Sequence, residues 1–444
     1  MIYICYNELL NNLNGGLQLE KLIIENSGKL NGKIRVSGAK NASLPILAAT
    51  LLGTEDIFLE DVPKLKDVEI ICDVLRALGA TVEDLGEGSY RINSKNINTY
   101  ETKYELMSKM RASFLVMGPL LGRMKKAKNS LPGGCTIGAR PIDLHLKGFR
   151  ALGVECEEHY GESEDGEDSY ILAHTEKLVG NKVYLDFPSV GATENIMMAA
   201  VLAEGRTIIE NAAMEPEIVD LSNFLRKLGG KIKGAGTNTI IIDGVEKLYG
   251  ARHQIIPDRI EAGTFMIASA ITGGDVIVEN VITDHLRPVI SKLEEAGCVI
   301  EENGDQVRVI GPEKLKNIDI KTLPYPGFPT DMQAQFMAMM TQCENTNIVI
   351  ETVFENRFMH VDEFKRMGAS ITINDRSAII NGGSKLVGNK VYATDLRCGA
   401  ALILAGFVAE GETEIYNIYH IDRGYENIEN KLRGIGAKIR REID

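Results

Sequence analysis

An α/β protein of two domains, each assembled from three similar units around buried helices, is the fold that this 444-residue sequence predicts. Three observations carry it. A pattern that ends a helix recurs six times, the intervening helices are rich in Ala, Met and Gly, and the length suits two or three domains of about 150 residues. The pattern is Leu or Phe, two spacers, an apolar residue and Gly, as in Leu75-Arg76-Ala77-Leu78-Gly79. It returns from Phe149, Leu225, Leu293, Phe364 and Leu432, placing its glycines at 79, 153, 229, 297, 368 and 436. The intervals of 74, 76, 68, 71 and 68 residues span almost the whole chain.

In each copy the apolar pair three apart lies on one helix face, and the Gly supplies the left-handed residue that stops the helix. A strand follows, with Val82, Cys156, Ile232, Ile300, Ile371 and Ile439 as its first inward residues. Between copies lies a second helix-to-strand step: Leu52-Gly53 before Ile57, Gly205 before Ile208, Gly274 before Val276 and Gly411 before Ile415. Each unit therefore holds at least two helices and several strands. Units of this size exceed the roughly 20 to 50 residues of linear repeat arrays, which favours two closed domains of three units. The stretches from Asn195 to Ala200 and Met332 to Met340 are apolar nearly all round, predicting helices buried inside each domain.

Composition narrows the function. With 49 Lys+Arg against 62 Asp+Glu the formal charge is -13, which disfavours binding to nucleic acid or an anionic membrane, so an anionic ligand needs a locally basic pocket. No apolar run approaches the ~20 residues of a membrane-spanning helix. Residues 1–18 lack a basic leader and read as a loose extension, and seven cysteines without close pairing suit a reducing compartment, so the expected location is the cytoplasm. No histidine pair has metal-ligand spacing, and neither a P-loop, a dinucleotide fingerprint nor a serine-hydrolase elbow occurs; no metal or cofactor is expected.

Function is sought where a unit departs from the plan. The second unit runs Ser130-Leu131-Pro132-Gly133-Gly134-Cys135-Thr136-Ile137-Gly138-Ala139-Arg140-Pro141, whose glycines and prolines predict a mobile loop around a cysteine. Nearby cations enrich the thiolate of Cys135, which is either reactive or a spacer. Cys72, Cys156 and Cys298 fall at core positions, while Cys343 and Cys398 are left open. Lys40 and Asn41 follow a strand and open a helix, a plausible anion site, though a solvated Lys is commoner there. Asp331 also opens a helix, where Asp is usually a cap. The arginines of Glu355-Asn356-Arg357, Asp395-Leu396-Arg397 and Asp422-Arg423-Gly424-Tyr425-Glu426 most often make surface ion pairs.

Taken together, Val36 to Ala42, Leu131 to Asp143, Gly327 to Gln335, Glu355 to Met359 and Tyr419 to Glu426 resemble the enolpyruvyl transferases, in order from about Leu19 to the C-terminus. The resemblance implies a two-domain inside-out α/β barrel: six βαβαββ repeats in two pseudo-threefold domains, joined by a double crossover. One domain would span 40–249 and carry the Cys135 loop, and the other 19–39 plus 250–444, with Lys40 at the hinge. The reaction implied moves the enolpyruvyl group of phosphoenolpyruvate to the 3'-hydroxyl of UDP-N-acetylglucosamine through a tetrahedral ketal, releasing phosphate and opening peptidoglycan synthesis. The partners implied are these two small molecules, with no obligate protein.

By the same resemblance Lys40, Asn41, Arg140 and Arg423 hold phosphoenolpyruvate, and Cys135 is the proton donor and the point of alkylation by fosfomycin. Arg111, Arg140, Pro141, Ile142, Asp143 and Leu144 face the uridine diphosphate, with Ser189, Val190, Gly191 and Val353 adding contacts. Asp331 would hold the 3'-hydroxyl and act as base. Glu215, Arg357, Asp395 and Arg397 align with polar cleft positions. Phe187 stands where relatives can carry Lys, a departure from the pattern. A transferase with another acceptor, such as shikimate 3-phosphate, is the nearest rival; a non-catalytic sugar-nucleotide sensor is the other. The cysteine loop argues against the first, and the intact acid, base and cation positions against the second.

Overall fold

The computed structural model describes residues 20–102, 104–107, 110–130, 142–161 and 169–443, apart from the side chain of Arg111. The extension 1–18 and the loop bearing Cys135, Arg140 and Pro141 lie outside the described residues.

Two groups of helices run through the interiors of two lobes. One lobe contains Lys40–Ala49, Met117–Met124 and Val190–Ala200; the other contains Arg259–Thr272, Gln333–Met340 and Leu396–Gly406. Their apolar composition leaves no face suited to water: every residue from Ile260 to Ile271 is buried, as are all of Gln333–Met340 and everything from Arg397 to Gly406. Close approach is bought with glycine. A Cβ on Gly118 would stand 2.3 Å from the Asn195 carbonyl oxygen, so no larger residue permits Met117–Met124 to lie against Val190–Ala200.

Six sheets enclose these helices, five of four strands and one of three among the described residues. In a complete unit Lys182–Tyr184 pairs parallel with Arg206–Glu210, which pairs antiparallel with Thr239–Asp243, which in turn holds Lys231–Lys233. The same order recurs in Ile320–Lys321, Thr346–Ile350, Ser377–Asn381 and Ser370–Asn374. This is the βαβαββ plan. Outward faces carry cross-strand ion pairs such as Arg206–Asp243 and Arg308–Asp275, which keeps the sheets wet and the helices dry. The six helix-ending glycines have φ between +84° and +108°, the left-handed region predicted for them.

Three units are completed by strands from far along the chain. Asn31–Arg35 pairs with Asp275–Glu279, Ala251–Gln254 with Ile57–Glu60, and Glu20–Glu25 lies between Glu412–Tyr416 and Ile439–Ile443. The chain thus crosses between lobes twice, and the crossing segments bond to each other: Ala39 N donates to Ile256 O at 2.7 Å and Asp258 N to Ser37 O at 2.9 Å. One apolar core runs from Ala39 to Ile255; the other joins Leu22 to Val36 with Ile260 to Ile439. The second crossing therefore falls just after residue 255 rather than at 250, because Ala251–Gln254 completes a sheet of the first lobe. In the second unit the place of the parallel strand shrinks to one bridge, Glu101 with Lys128. There Cys156 is half-buried rather than core, whereas Cys72, Cys298, Cys343 and Cys398 are buried. Burial pushes the thiols of these four to about 12.

Candidate active site between the lobes

The crossing segments place two cations at matching positions, each opening the first inner helix of its lobe. Lys40 begins Lys40–Ala49 and Arg259 begins Arg259–Thr272. Asp258 ties the two starts together: its carboxylate caps its own helix through the Ile260 and Glu261 amides and also accepts from Lys40 N at 3.1 Å.

Each cation meets an acid from the first turn of an outer helix of the first lobe. Lys40 Nζ lies 2.7 Å from Asp67 Oδ2, and Arg259 Nε lies 3.0 Å from Glu217 Oε1. Asp67 also accepts from Arg423 of the other lobe, with Nε at 2.8 Å and Nη2 at 3.4 Å. Burial lowers the Lys40 ammonium, opposed by Asp67 and assisted by repulsion from Arg423 and Arg397. Burial works against the Asp67 charge, yet Lys40 and Arg423 outweigh it and hold the carboxyl below its ordinary value. Asp67 is a site residue that the sequence reading missed. A signal existed: Asp67 and Glu217 both stand twelve residues before their unit's helix-ending glycine, at 79 and 229.

Asp331 forms the second focus. Its Oδ1 accepts from Arg357 Nη2 at 2.8 Å, its Oδ2 from Arg397 Nη2 at 2.9 Å, and Asn41 Nδ2 of the first lobe approaches Oδ2 at 3.5 Å. Both arginines are buried, 5% and 4% exposed, which corrects the surface-ion-pair reading of their segments. Burial opposes the Arg397 charge, but Asp331 overrides it and raises the guanidinium further. Tyr425 Oη takes Arg397 Nη1 at 3.3 Å and touches Thr264 Oγ1 at 2.9 Å, which fixes that guanidinium from behind. A second missed residue, Glu351, is buried. It accepts from Thr322 Oγ1, Thr330 Oγ1 and the Val353 and Phe354 amides, holding the turns that carry Asp331 and Val353. Asp395 spends one oxygen capping its helix at the Arg397 and Cys398 amides.

The remaining candidates gather elsewhere in the first lobe. Ser189 caps Val190–Ala200, and Gly191 passes so close to His145 that an added Cβ would meet the ring at 3.2 Å. Asn195 Nδ2 and His145 Nδ1 are 3.0 Å apart, joining this turn to the start of Asp143–Ala151, beside which Ile142 and Leu144 pack on the core. Glu215 lies at the lobe boundary. Its Oε1 accepts from Tyr325 N at 3.5 Å, its Oε2 is buried without a hydrogen-bond partner among the described residues, and burial raises its carboxyl. Phe187 is 42% exposed. No hydrogen bond among the described residues joins this group to the Asp331 focus. Also among the described residues, no cluster of three or more His, Cys, Asp and Glu suits a metal ion and no helix is long and apolar enough to cross a membrane.

Comparison with known proteins gives a consistent pattern. The family model described as EPSP synthase (3-phosphoshikimate 1-carboxyvinyltransferase) matches residues 24–432. UDP-N-acetylglucosamine 1-carboxyvinyltransferase 1 of Caldanaerobacter subterraneus subsp. tengcongensis is 59% identical over 423 residues, covering 95% of this chain and 99% of the relative. UDP-N-acetylglucosamine 1-carboxyvinyltransferase of Finegoldia magna is also 59% identical, with the same coverage. In fold, the chain matches the enolpyruvyl transferase NikO from Streptomyces tendae at TM-score 0.86 and 22% identity, covering 96% of this chain and all of the other. An EPSP synthase from Acinetobacter baumannii matches at 0.72 and 19% identity, with equal coverage.

Proposed function

We propose, for a chain that belongs to the enolpyruvyl transferase family alongside the UDP-N-acetylglucosamine 1-carboxyvinyltransferases, that it transfers the enolpyruvyl group of phosphoenolpyruvate to the 3'-hydroxyl of UDP-N-acetylglucosamine and releases phosphate. The observation that carries the reading is 59% identity to two transferases named for that reaction across 95% of this chain. The two lobes act as domains closing over the substrates.

The chemistry needs cations for a phosphate and a carboxylate, a proton for the methylene carbon and an acceptor for the hydroxyl proton. Lys40 and Arg423, with Arg140 and Asn41, supply the anion site. Asp331, braced by Arg357 and Arg397, receives the 3'-hydroxyl, and Glu351 keeps Val353 beside the sugar. Arg111, Pro141 to Leu144 and the Ser189-Val190-Gly191 turn line the nucleotide side, and Glu215 and Asp395 are polar residues of the cleft. Cys135 gives its proton to the methylene carbon, which generates the oxocarbenium-like carbon that the hydroxyl attacks. Asp331 takes the hydroxyl proton as the tetrahedral ketal forms, and loss of phosphate, with a methyl proton returning to the Cys135 thiolate, then restores the vinyl group. The setting is the cytoplasm, early in peptidoglycan synthesis.

The test is phosphate release from phosphoenolpyruvate with UDP-N-acetylglucosamine against shikimate 3-phosphate as acceptor; turnover with the second alone rejects the assignment. Cys135→Asp is expected to retain turnover and lose inactivation by fosfomycin, because a carboxylic acid donates a proton but resists that alkylation. A variant that binds both substrates without turnover removes Cys135 as the acid.

A further inference from the structure

Two of the cations assigned to phosphoenolpyruvate, Lys40 and Arg423, are already matched by a carboxylate of this chain. Asp67 is 1% exposed, and its two oxygens contact Lys40 Nζ at 2.7 Å and Arg423 Nε at 2.8 Å. Resting on the proposed reaction, we propose that Asp67 is an internal competitor for the phosphoenolpyruvate site: it neutralises Lys40 of its own lobe and holds the other lobe through Arg423, and the substrate anion must take those cations from it.

Internal symmetry separates this role from ordinary bracing. Glu217 occupies the position matching Asp67 and grips Arg259, the counterpart of Lys40, with Nε at 3.0 Å and Nη2 at 3.4 Å. That pair is shielded on both sides, 10% and 4% exposed, and serves as a fixed strut between lobes. At the Asp67 site the second cation, Arg423, is 33% exposed and comes from a short turn rather than an inner helix, so it can leave. The same turn reaches the first lobe once more: Glu426 Oε1 accepts from Lys64 N at 3.1 Å, while Glu426 Oε2 accepts from Ser37 Oγ at 2.5 Å. The turn from Asp422 to Glu426 thus clasps residues 64 to 67 at two points. An anion drawing Lys40 and Arg423 onto itself would exchange one of those points for its own charge. Phosphoenolpyruvate brings more negative charge than one carboxylate and therefore wins only when fully seated. The exchange couples seating to the clasp.

Asp67→Asn keeps the shape and removes the charge. Inorganic phosphate and phosphoenolpyruvate, titrated calorimetrically into the full chain at fixed ionic strength, are expected to bind about tenfold more tightly to the variant. The apparent KM for phosphoenolpyruvate falls with it, and small-angle scattering shows a larger radius of gyration as the clasp loosens. If Asp67 only braces Lys40, the sign reverses; unchanged or weaker anion binding in a folded variant overturns the proposal. Asp67→Ala repeats the measurement should the amide variant not fold, and Asp67→Glu, which keeps the charge, is expected to show no gain. If neither neutral variant folds, the proposal is also overturned, since a carboxylate indispensable to folding is not a displaceable one. Failure of the unaltered chain to release phosphate would count against the reaction alone, because phosphate binding requires no transfer.

Discussion

Glu194 lies in the inner helix Val190–Ala200, 3% exposed, with the acidic residues Glu217 and Glu215 as neighbours. Burial, reinforced by repulsion from those two, raises its carboxyl well above the ordinary range, so it is neutral where surface carboxylates are charged. The sign follows from linkage: a raised carboxyl stabilises fully below its unfolded value, and that contribution drains away as pH rises through the native one. Glu194→Gln, which mimics the neutral acid, is expected to flatten this alkaline loss and raise the melting temperature at pH 8 by about 2–4 °C. Parallel melting curves for variant and parent from pH 5 to about pH 9 would count against the assignment. Residues of this kind are hard to read from sequence. Nothing in Thr193-Glu194-Asn195 marks the acid as buried, while the apolar neighbours Ile196 to Ala200 do mark the helix.

The fold is repeated through the turns that end its helices and strands, and the glycines of those turns fall into two physical classes. Gly436 has φ +98° and open space around a would-be Cβ, so Gly436→Ala costs only the backbone penalty, about 1–2 kcal/mol. Gly244 is different, since an added Cβ would stand 1.6 Å from the Ala203 carbonyl oxygen where two turns meet. Gly244→Ala is therefore expected to destabilise by more than Gly436→Ala in denaturant titration, and equal midpoints would contradict the packing argument. Periodicity exposes the first class, because the spacing of Leu-x-x-Leu-Gly is local. The second depends on a neighbour 41 residues away and has no local signature.

For the whole molecule the decisive contacts are those between lobes: Asp67 with Arg423, Glu217 with Arg259, and the amides of Lys64 and Tyr325 on Glu426 and Glu215. Lys40 and Arg423 hold Asp67 below the ordinary carboxylate value in spite of its burial. Its contribution is therefore present above that range and lost as pH falls through the lowered value, below about pH 4. Acid is expected to part the lobes before either core melts, seen as a growing radius of gyration with near-native helical circular dichroism. A constant radius down to global unfolding would contradict the role given to this contact.

The six-unit periodicity, the glycine stops, the inner helices and the residues at helix starts such as Lys40 and Asp331 were all determined by the sequence alone, because each rests on spacing within one element. Tertiary structure decided what those residues meet. Arg357 and Arg397 read as surface pairs until folding brings both onto Asp331, and Asp67, unmarked in the sequence reading, joins the site only when two crossings of the chain deliver Lys40 and Arg423 to it. The strands borrowed by three units belong to the same class. Their partners lie hundreds of residues away, and hydrogen-bond pairing across that distance is chosen by the closing of each lobe rather than by any neighbour in sequence.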